Sequence, residues 1–202
     1  MDKENFRTPT ELVEALREEG LVRPEDETLL QAIAEEAELR EAAELQARRD
    51  PLTEVGNALA FQEELAKAGA RAERFDEPAS VMVLDLVGLS AVNENGQNRG
   101  DEALKKFAAA LSNSVRKVDT VARVGGDEFA LILPKLGKDQ LHLVLERLDE
   151  QLADPENAVC GQQLDYYAAF EGSANGRSID SAYESAQEEI AVSKKARKNG
   201  QV

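Results

Sequence analysis

Several residue types are scarce in this chain, and each scarcity narrows what the protein can be. Its single cysteine, Cys160, cannot form an internal disulfide, which is typical of a cytoplasmic protein. Tryptophan is absent and aromatic residues make up only 4% of the chain, so the core must consist mainly of leucine, valine, isoleucine and alanine. No apolar run approaches the length of a membrane-spanning helix, and the charged N-terminus does not resemble a signal peptide. We therefore expect a cytoplasmic protein with no membrane segment.

Basic residues are also scarce relative to acidic ones. The chain of 202 residues carries 24 lysines and arginines against 40 aspartates and glutamates, a formal net charge of −16. This balance argues against a partner such as polymeric nucleic acid or an anionic membrane, because both reward clustered cations. It does not exclude a small phosphorylated ligand, which needs only a metal or a local cation cluster. Such a cluster lies near the C-terminus, at Lys194, Lys195, Arg197 and Lys198.

The first quarter of the chain predicts a helical segment. Residues 1–23 include one short amphipathic pattern, and residues 25–49 contain no glycine or proline and are rich in glutamate, alanine and leucine. The apolar positions of the second helix fit two arrangements equally well: a coil with a partner helix, or packing on its own domain. Pro51 ends this helix. We predict a helical signalling or dimerisation segment at 1–48 and a second domain at 49–202.

The second domain has the pattern of an α+β fold. Four short β-prone runs alternate with amphipathic helical patterns, and the run at residues 81–86 is typical of a strand buried on both faces. The runs at 121–124 and 129–133 are close enough to form a hairpin. The element order predicts a central, mostly antiparallel sheet flanked by helices. One of these helices is predicted to start at Asp101.

Three carboxylates are candidates for a shared cation site. Gly125 and Gly126 can take the positive φ angles of a tight hairpin turn, and Asp127 and Glu128 follow them directly. Asp85, at the predicted end of a strand, is the natural third acid. Such a set can hold a hard divalent cation such as Mg²⁺. The hairpin alone fits equally well an acidic turn that is simply solvated.

Several separated stretches match one protein family in the same order along the chain. The run Gly125 to Phe129, reading GGDEF, is the naming motif of that family without substitution. Asp50 to Thr53 resembles its opening motif, and Lys194 to Asn199 resembles its closing motif. Residues 50–202 are therefore identified as a member of the GGDEF, or diguanylate cyclase, family.

The resemblance implies a fold similar to the polymerase palm and to class III nucleotidyl cyclases. It also implies a homodimer in which each subunit binds one GTP. The 3′-hydroxyl of each nucleotide attacks the α-phosphate of the other, which yields cyclic di-GMP and two pyrophosphates. The implied cofactor is Mg²⁺ or Mn²⁺, since such transfers depend on positioning and charge neutralisation.

The family's site residues carry over to particular positions of this chain. Asp85, Asp127 and the carbonyl of Leu86 would bind the metal. Glu128 would complete the metal site or help deprotonate the attacking hydroxyl. The resemblance makes Asp127 and Glu128 the catalytic candidates and leaves open which acid does which task.

Four further residues would bind the substrate, according to the same resemblance. Asn93 and Asp101 would read guanine, because a carboxylate accepts hydrogen bonds from guanine donors that adenine lacks. Lys194 and Lys198 would face the phosphates, with Lys198 where the family more often has arginine.

The pair Arg116 and Asp119 forms an RxxD sequence ahead of the GGDEF motif. In the family this position is the inhibitory site for the product, where arginine and aspartate bind cyclic di-GMP. The alternative is an ordinary ion pair at a helix end. The spacing between this pair and the GGDEF motif favours product binding over an ordinary ion pair.

The chain departs from the family pattern beside the expected triphosphate. Residues 87–90 lack the usual acid, aromatic and lysine, and the loop from Asn93 to Asp101 is one residue short. Two principal functions therefore stay open: an active, product-inhibited diguanylate cyclase, or a cyclic di-GMP receptor with weak or no activity. A dimerisation module without either activity is a third. The intact three acids favour the enzyme, and the altered residues favour the receptor.

Overall fold

The computed structural model describes residues 8–89, 92, 97–173 and 178–198, with the backbone alone at 24, 97, 197 and 198. Contacts within it divide the chain into two units, Met1–Arg48 and Arg49–Val202. Within the described ranges, no helix is both long and apolar enough to cross a membrane.

The first unit contains two helices, α1 at Pro9–Glu18 and α2 at Pro24–Ala47. The hydroxyl of Thr8 caps α1 by accepting the Glu11 backbone N–H at 3.2 Å. Val13 of α1 and Ala34 of α2 are both buried. The predicted short helix followed by a long one is thus confirmed.

Four large apolar side chains of α2 are more than half exposed: Leu29, Ile33, Leu39 and Leu45. Leu29 and Ile33 lie one turn apart and share a face, whereas Leu39 and Leu45 lie on other faces. The exposed residues therefore do not form one continuous stripe along the helix.

A four-stranded antiparallel sheet forms the centre of the second unit. Its strands are β1 at Ala79–Val87, β2 at Thr120–Arg123, β3 at Glu128–Pro134 and β4 at Asp165–Ser173. The order across the sheet is β2-β3-β1-β4, and each neighbouring pair is antiparallel. β1 is a central strand, which explains why its sequence is apolar on both faces.

Helices cover both faces of this sheet. On one face, Met82 and Leu84 of β1 share a core with Phe107, whose ring meets Phe129 edge-on at 5.2 Å. On the other face, alternate residues such as Val83 pack with the remaining helices. The first pair of helices is α4 at Gln97–Ser114 and α5 at His142–Ala153, and the second is α3 at Ala58–Phe75 and α6 at Ile179–Lys198. The predicted α+β architecture is confirmed.

The start of α4 differs from the prediction. The helix begins at Gln97 and not at Asp101, because the polar residues before Asp101 continue the helix. Gly100 is buried in it, and Arg99 pairs with Glu102 at 3.2 Å. Packing and this i,i+3 contact therefore outweigh the weak helix propensity of asparagine and glycine.

Candidate active site

The register of the sheet brings the carboxylates of Asp85 and Glu128 together. Asp85 lies directly opposite Glu128 of β3, and opposite Tyr167 of β4 on its other side. β1 continues to Val87, so Asp85 lies inside the strand and not at its end as the sequence suggested. Because it is flanked by strands on both sides, Asp85 is only 6% exposed.

The hairpin between β2 and β3 does not use glycine in the predicted way. Neither Gly125 nor Gly126 has a positive φ angle. The Gly125 N–H instead donates to the Glu128 carbonyl at 3.3 Å, and a Cβ at Gly125 would lie 3.0 Å from Glu128 Oε2. Gly125 thus leaves space for the Glu128 side chain and does not supply a left-handed backbone conformation.

Arg123 holds this hairpin in place, a role that the sequence analysis missed. Its guanidinium donates to the Gly126 carbonyl at 2.6 Å and to Asp50 Oδ1 at 3.2 Å. Asp50 also accepts hydrogen bonds from the backbone and hydroxyl of Thr53, and although burial opposes the change, these bonds and Arg123 lower the pKa of Asp50. Arg123 therefore links the opening DPLT turn to the GGDEF turn. The opposite charges of Asp50 and Arg123 were the only sequence signal for this contact.

The three acids converge on one point. Ligand oxygens of Asp85, Asp127 and Glu128 lie within 4.8 Å of one another. Lys194, from the last turns of α6, reaches into the cluster: its Nζ lies 2.6 Å from Asp85 Oδ1, 2.7 Å from Glu128 Oε1 and 3.4 Å from Asp127 Oδ1. The sequence had predicted that Lys194 would face phosphates. In the structure it neutralises carboxylates.

The electrostatics of the cluster follow from its burial and its charges. Burial raises the pKa of Asp85, and the negative charges of Asp127 and Glu128 add to this rise, while Lys194 opposes it. Burial lowers the pKa of Lys194, but its contacts with Asp85 and Glu128 outweigh that effect and raise the pKa above its ordinary value. The cluster therefore favours the ammonium form of Lys194.

This donor set fits a divalent cation. Asp85 Oδ1 is buried, and the Lys194 ammonium lies 2.6 Å from it as an ion pair. Carboxylate oxygens this close together are the kind of hard ligands that Mg²⁺ and Mn²⁺ prefer. The backbone of Leu86 adjoins the cluster, because its N–H donates to the Asp127 carbonyl at 2.9 Å. The acidic group can therefore bind a metal ion.

Only some of the residues predicted to contact guanine and phosphate lie among those that the structure describes. Asp101 lies exposed in α4. Asn93 lies outside the described residues, as does the side chain of Lys198, whose backbone ends α6. The described residues thus do not assemble the guanine contacts, and these roles stay predictions.

Arg116 and Asp119 form a preorganised pair in the turn between α4 and β2. The guanidinium donates from Nη2 to Asp119 Oδ1 at 2.7 Å and from Nε to Oδ2 at 3.1 Å, and it also donates to the Pro134 carbonyl at 2.9 Å. The Asp119 side chain is 2% exposed, while that of Arg116 is 44% exposed. An exposed arginine face on a buried carboxylate is available to an anion or a flat base.

A cavity of about 320 Å³ lies beside this pair. Pro134, which accepts the hydrogen bond from Arg116, is one of its lining residues. Lys67 and Arg71 of α3 line it as well, together with Val118 and with Glu64, which pairs with Lys67 at 2.7 Å. The sequence does not indicate these residues as neighbours of the pair, because only the fold brings α3 next to the turn.

The family described as "Diguanylate cyclase, GGDEF domain" matches residues 47–200. The chain belongs to the GGDEF family. Its sequence is 32% identical over 139 residues to the diguanylate cyclase DgcP of Pseudomonas aeruginosa, a match that covers 64% of this chain and 20% of DgcP. It is 37% identical over 106 residues to the diguanylate cyclase DgcS of Shewanella oneidensis, covering 52% of this chain and 36% of DgcS. The chain thus spans a minor part of these curated relatives.

Solved GGDEF structures also resemble this chain. The coiled coil and GGDEF domain of DgcB from Caulobacter crescentus, in complex with c-di-GMP, aligns with a TM-score of 0.72 and 26% identity. The alignment covers 86% of this chain and 96% of that one. The family identification and the fold expected from the motifs are therefore both confirmed.

Proposed function

We propose that this GGDEF protein is a diguanylate cyclase that condenses two GTP molecules into cyclic di-GMP and releases two pyrophosphates. The observation that carries this proposal is the cluster of Asp85, Asp127 and Glu128, whose ligand oxygens lie within 4.8 Å of one another. The curated relatives named as diguanylate cyclases support the same activity.

The three acids differ in burial, and we assign them two different roles on that basis. The buried Asp85, with the Leu86 carbonyl, suits a fixed metal ligand. The Asp127 and Glu128 side chains are 42% and 34% exposed and can meet the substrate. A bound Mg²⁺ or Mn²⁺ would offset charge on the α-phosphate and lower the pKa of the attacking hydroxyl.

One partly exposed acid accepts the proton of the 3′-hydroxyl as the new O–P bond forms and pyrophosphate leaves. Glu128 is our choice for this base, because Asp127 then remains available to the metal. Lys194 and Lys198 bind the phosphates, and Asn93 and Asp101 bind guanine. Each subunit holds one GTP, so the active species is a homodimer.

Metal removal tests this function directly. Purified protein with GTP and Mg²⁺ should form cyclic di-GMP, and excess chelator should stop the reaction until Mg²⁺ or Mn²⁺ is restored. Synthesis that continued at full rate in excess chelator would contradict the assigned role of the acid cluster.

A second function, that of a cyclic di-GMP receptor, is supported by a separate observation. The Arg116–Asp119 pair is already formed and lies beside a cavity lined by Arg71 and by the Lys67–Glu64 ion pair. DgcB was solved in complex with c-di-GMP, which shows that a related protein binds this molecule. In an active cyclase the same site would give product inhibition. Protein that binds cyclic di-GMP but makes none from GTP would select the receptor.

Base selection provides a test of Asp101. GTP should be strongly preferred over ATP, and Asp101→Ala should erode the preference, since a carboxylate accepts from guanine donors that adenine lacks. The measurement is kcat/KM for both nucleotides. Glu102→Ala is the matched control, because Glu102 neighbours Asp101 but pairs with Arg99 and Lys106. Equal use of ATP by the unmutated protein would place the guanine pocket elsewhere.

Removal of residues 1–48 should weaken self-association and activity together. The exposed Leu29 and Ile33 of α2 give this segment apolar surface that association would bury. Sedimentation over a range of concentrations, with activity assayed at each, measures the effect. Leu29→Gln with Ile33→Gln in the full chain tests the same surface without truncation. A truncated protein with full activity at low concentration would contradict the dimerisation role of residues 1–48.

A further inference from the structure

The Lys194 ammonium lies among the carboxylates to which we assign the metal. It contacts Asp85 and Glu128 at 2.6 and 2.7 Å, and Asp127 at 3.4 Å. A cation that bound all three acids through these oxygens would lie in the position that the ammonium takes. An ammonium and a divalent ion cannot share that position, because their charges repel and their volumes overlap.

We propose that Lys194 is a tethered counter-cation that competes with the divalent metal for the acid cluster and leaves it when the metal binds. The inference rests on the proposed function for the identity of the metal site. It assigns Lys194 a role in the metal-free protein that differs from its predicted contact with phosphate.

Two features of Lys194 make this exchange feasible. Its side chain is 29% exposed, so one side of it is open to solvent, and four flexible carbons connect the ammonium to α6. Without it, the three close carboxylates would repel one another, and the buried Asp85 would have no compensating charge. Lys194 thus stabilises the empty cluster without closing it permanently.

The exchange predicts that metal and nucleotide assist each other. While Lys194 lies in the cluster, it is not available to the phosphates of GTP. Metal entry releases the ammonium, which then adds a positive charge near the triphosphate. By thermodynamic reciprocity, a phosphate group that attracts Lys194 out of the cluster raises the affinity for metal.

The competition sets a measurable difference in metal affinity. When a site is free for only a fraction of the time, its apparent affinity falls by that fraction. If Lys194 occupies the cluster about nine-tenths of the time, removing its charge should tighten metal binding about tenfold. The change should be visible without nucleotide and without turnover.

The experiment is a Mn²⁺ titration of the full chain, monitored by electron paramagnetic resonance in the absence of nucleotide. Lys194→Met should bind Mn²⁺ about tenfold more tightly than the unmutated protein. Lys194→Arg keeps the competing charge and should bind Mn²⁺ more weakly than Lys194→Met. Lys195→Met is the matched control, because Lys195 is the exposed neighbour on the same helix, and it should leave the affinity within about twofold.

Equal Mn²⁺ affinity in Lys194→Met and the unmutated protein would overturn the proposal, as would a failure of Lys194→Met to bind Mn²⁺. Product formation from GTP by the unmutated protein would still support the cyclase in either case. Conversely, tighter Mn²⁺ binding by Lys194→Met would support the counter-cation role even if no cyclic di-GMP were formed.

A measurement on the unmutated protein covers the case in which Lys194→Met does not fold. Lysine side-chain resonances in NMR, assigned with Lys194→Arg, report the surroundings of the ammonium. Saturating Mg²⁺ should shift the Lys194 resonance toward that of a solvated lysine and leave Lys195 unchanged. A Lys194 resonance that stayed unchanged at saturating Mg²⁺ would overturn the exchange.

Discussion

Asp85→Asn should lower the initial rate of cyclic di-GMP synthesis at least about a hundredfold, the usual effect of removing a principal electrostatic contributor. The substitution keeps the size of the side chain but removes a charge from the most buried acid of the cluster. It also places an amide donor among the proposed metal ligands. Initial rates at saturating GTP and Mg²⁺, with cyclic di-GMP quantified by chromatography, measure the effect.

Glu128→Gln should give a loss of similar size, and the double variant should fall much less than the product of the two losses, because both residues act in one site. Asp139→Asn, outside the cluster, is the control and should retain the full rate. Circular dichroism separates loss of function from loss of fold. Full activity in Asp85→Asn would show that the cluster is not the catalytic centre.

Arg116→Ala should weaken cyclic di-GMP binding by about 1.5–3 kcal/mol, the typical net value of a charge-assisted hydrogen bond, and leave initial turnover largely unchanged. The reason is geometric: the guanidinium is the exposed half of a bidentate pair beside a cavity and is separate from the acid cluster. Calorimetry with both proteins measures the affinity. Inhibition of the unmutated cyclase by its product should be non-competitive with GTP.

Lys117→Ala is the matched control for that measurement, since Lys117 is exposed and adjacent but not part of the pair. A thermal unfolding midpoint is needed as well, because Arg116→Ala leaves the nearly buried Asp119 carboxylate without its partner guanidinium. Arg71→Ala should weaken cyclic di-GMP binding too, since Arg71 lines the cavity. Equal affinities in Arg116→Ala and the unmutated protein would mean that Arg116 and Asp119 form only a surface ion pair.

Local patterns were enough to predict most of the fold. The apolar run around Val83 marked a central strand because alternate residues face two different helix layers. The same reasoning failed at α4, whose first turn includes the poor helix formers Asn98 and Gly100, of which Gly100 is buried. It also gave the wrong role to Gly125, whose φ angle is not positive and whose lack of a side chain leaves room for that of Glu128.

Some contacts within the site could not be predicted from the sequence. These contacts join residues that are far apart in the chain. Arg123 meets Asp50 across 73 positions, and Lys194 meets Glu128 across 66. Motif spacing identified several of these residues but not their partners. The resemblance placed Lys194 at the phosphates, whereas its position in the acid cluster depends on how α6 packs against the sheet.

Product analysis tests the central claim most directly. The unmutated full chain, incubated with radiolabelled GTP and Mg²⁺ at concentrations that favour the dimer, should yield cyclic di-GMP and pyrophosphate in a ratio of one to two. Asp85→Asn, assayed in parallel, should yield at most about a hundredth of that product. Dimeric, folded protein that formed no cyclic di-GMP with either Mg²⁺ or Mn²⁺ would contradict the assignment as a diguanylate cyclase.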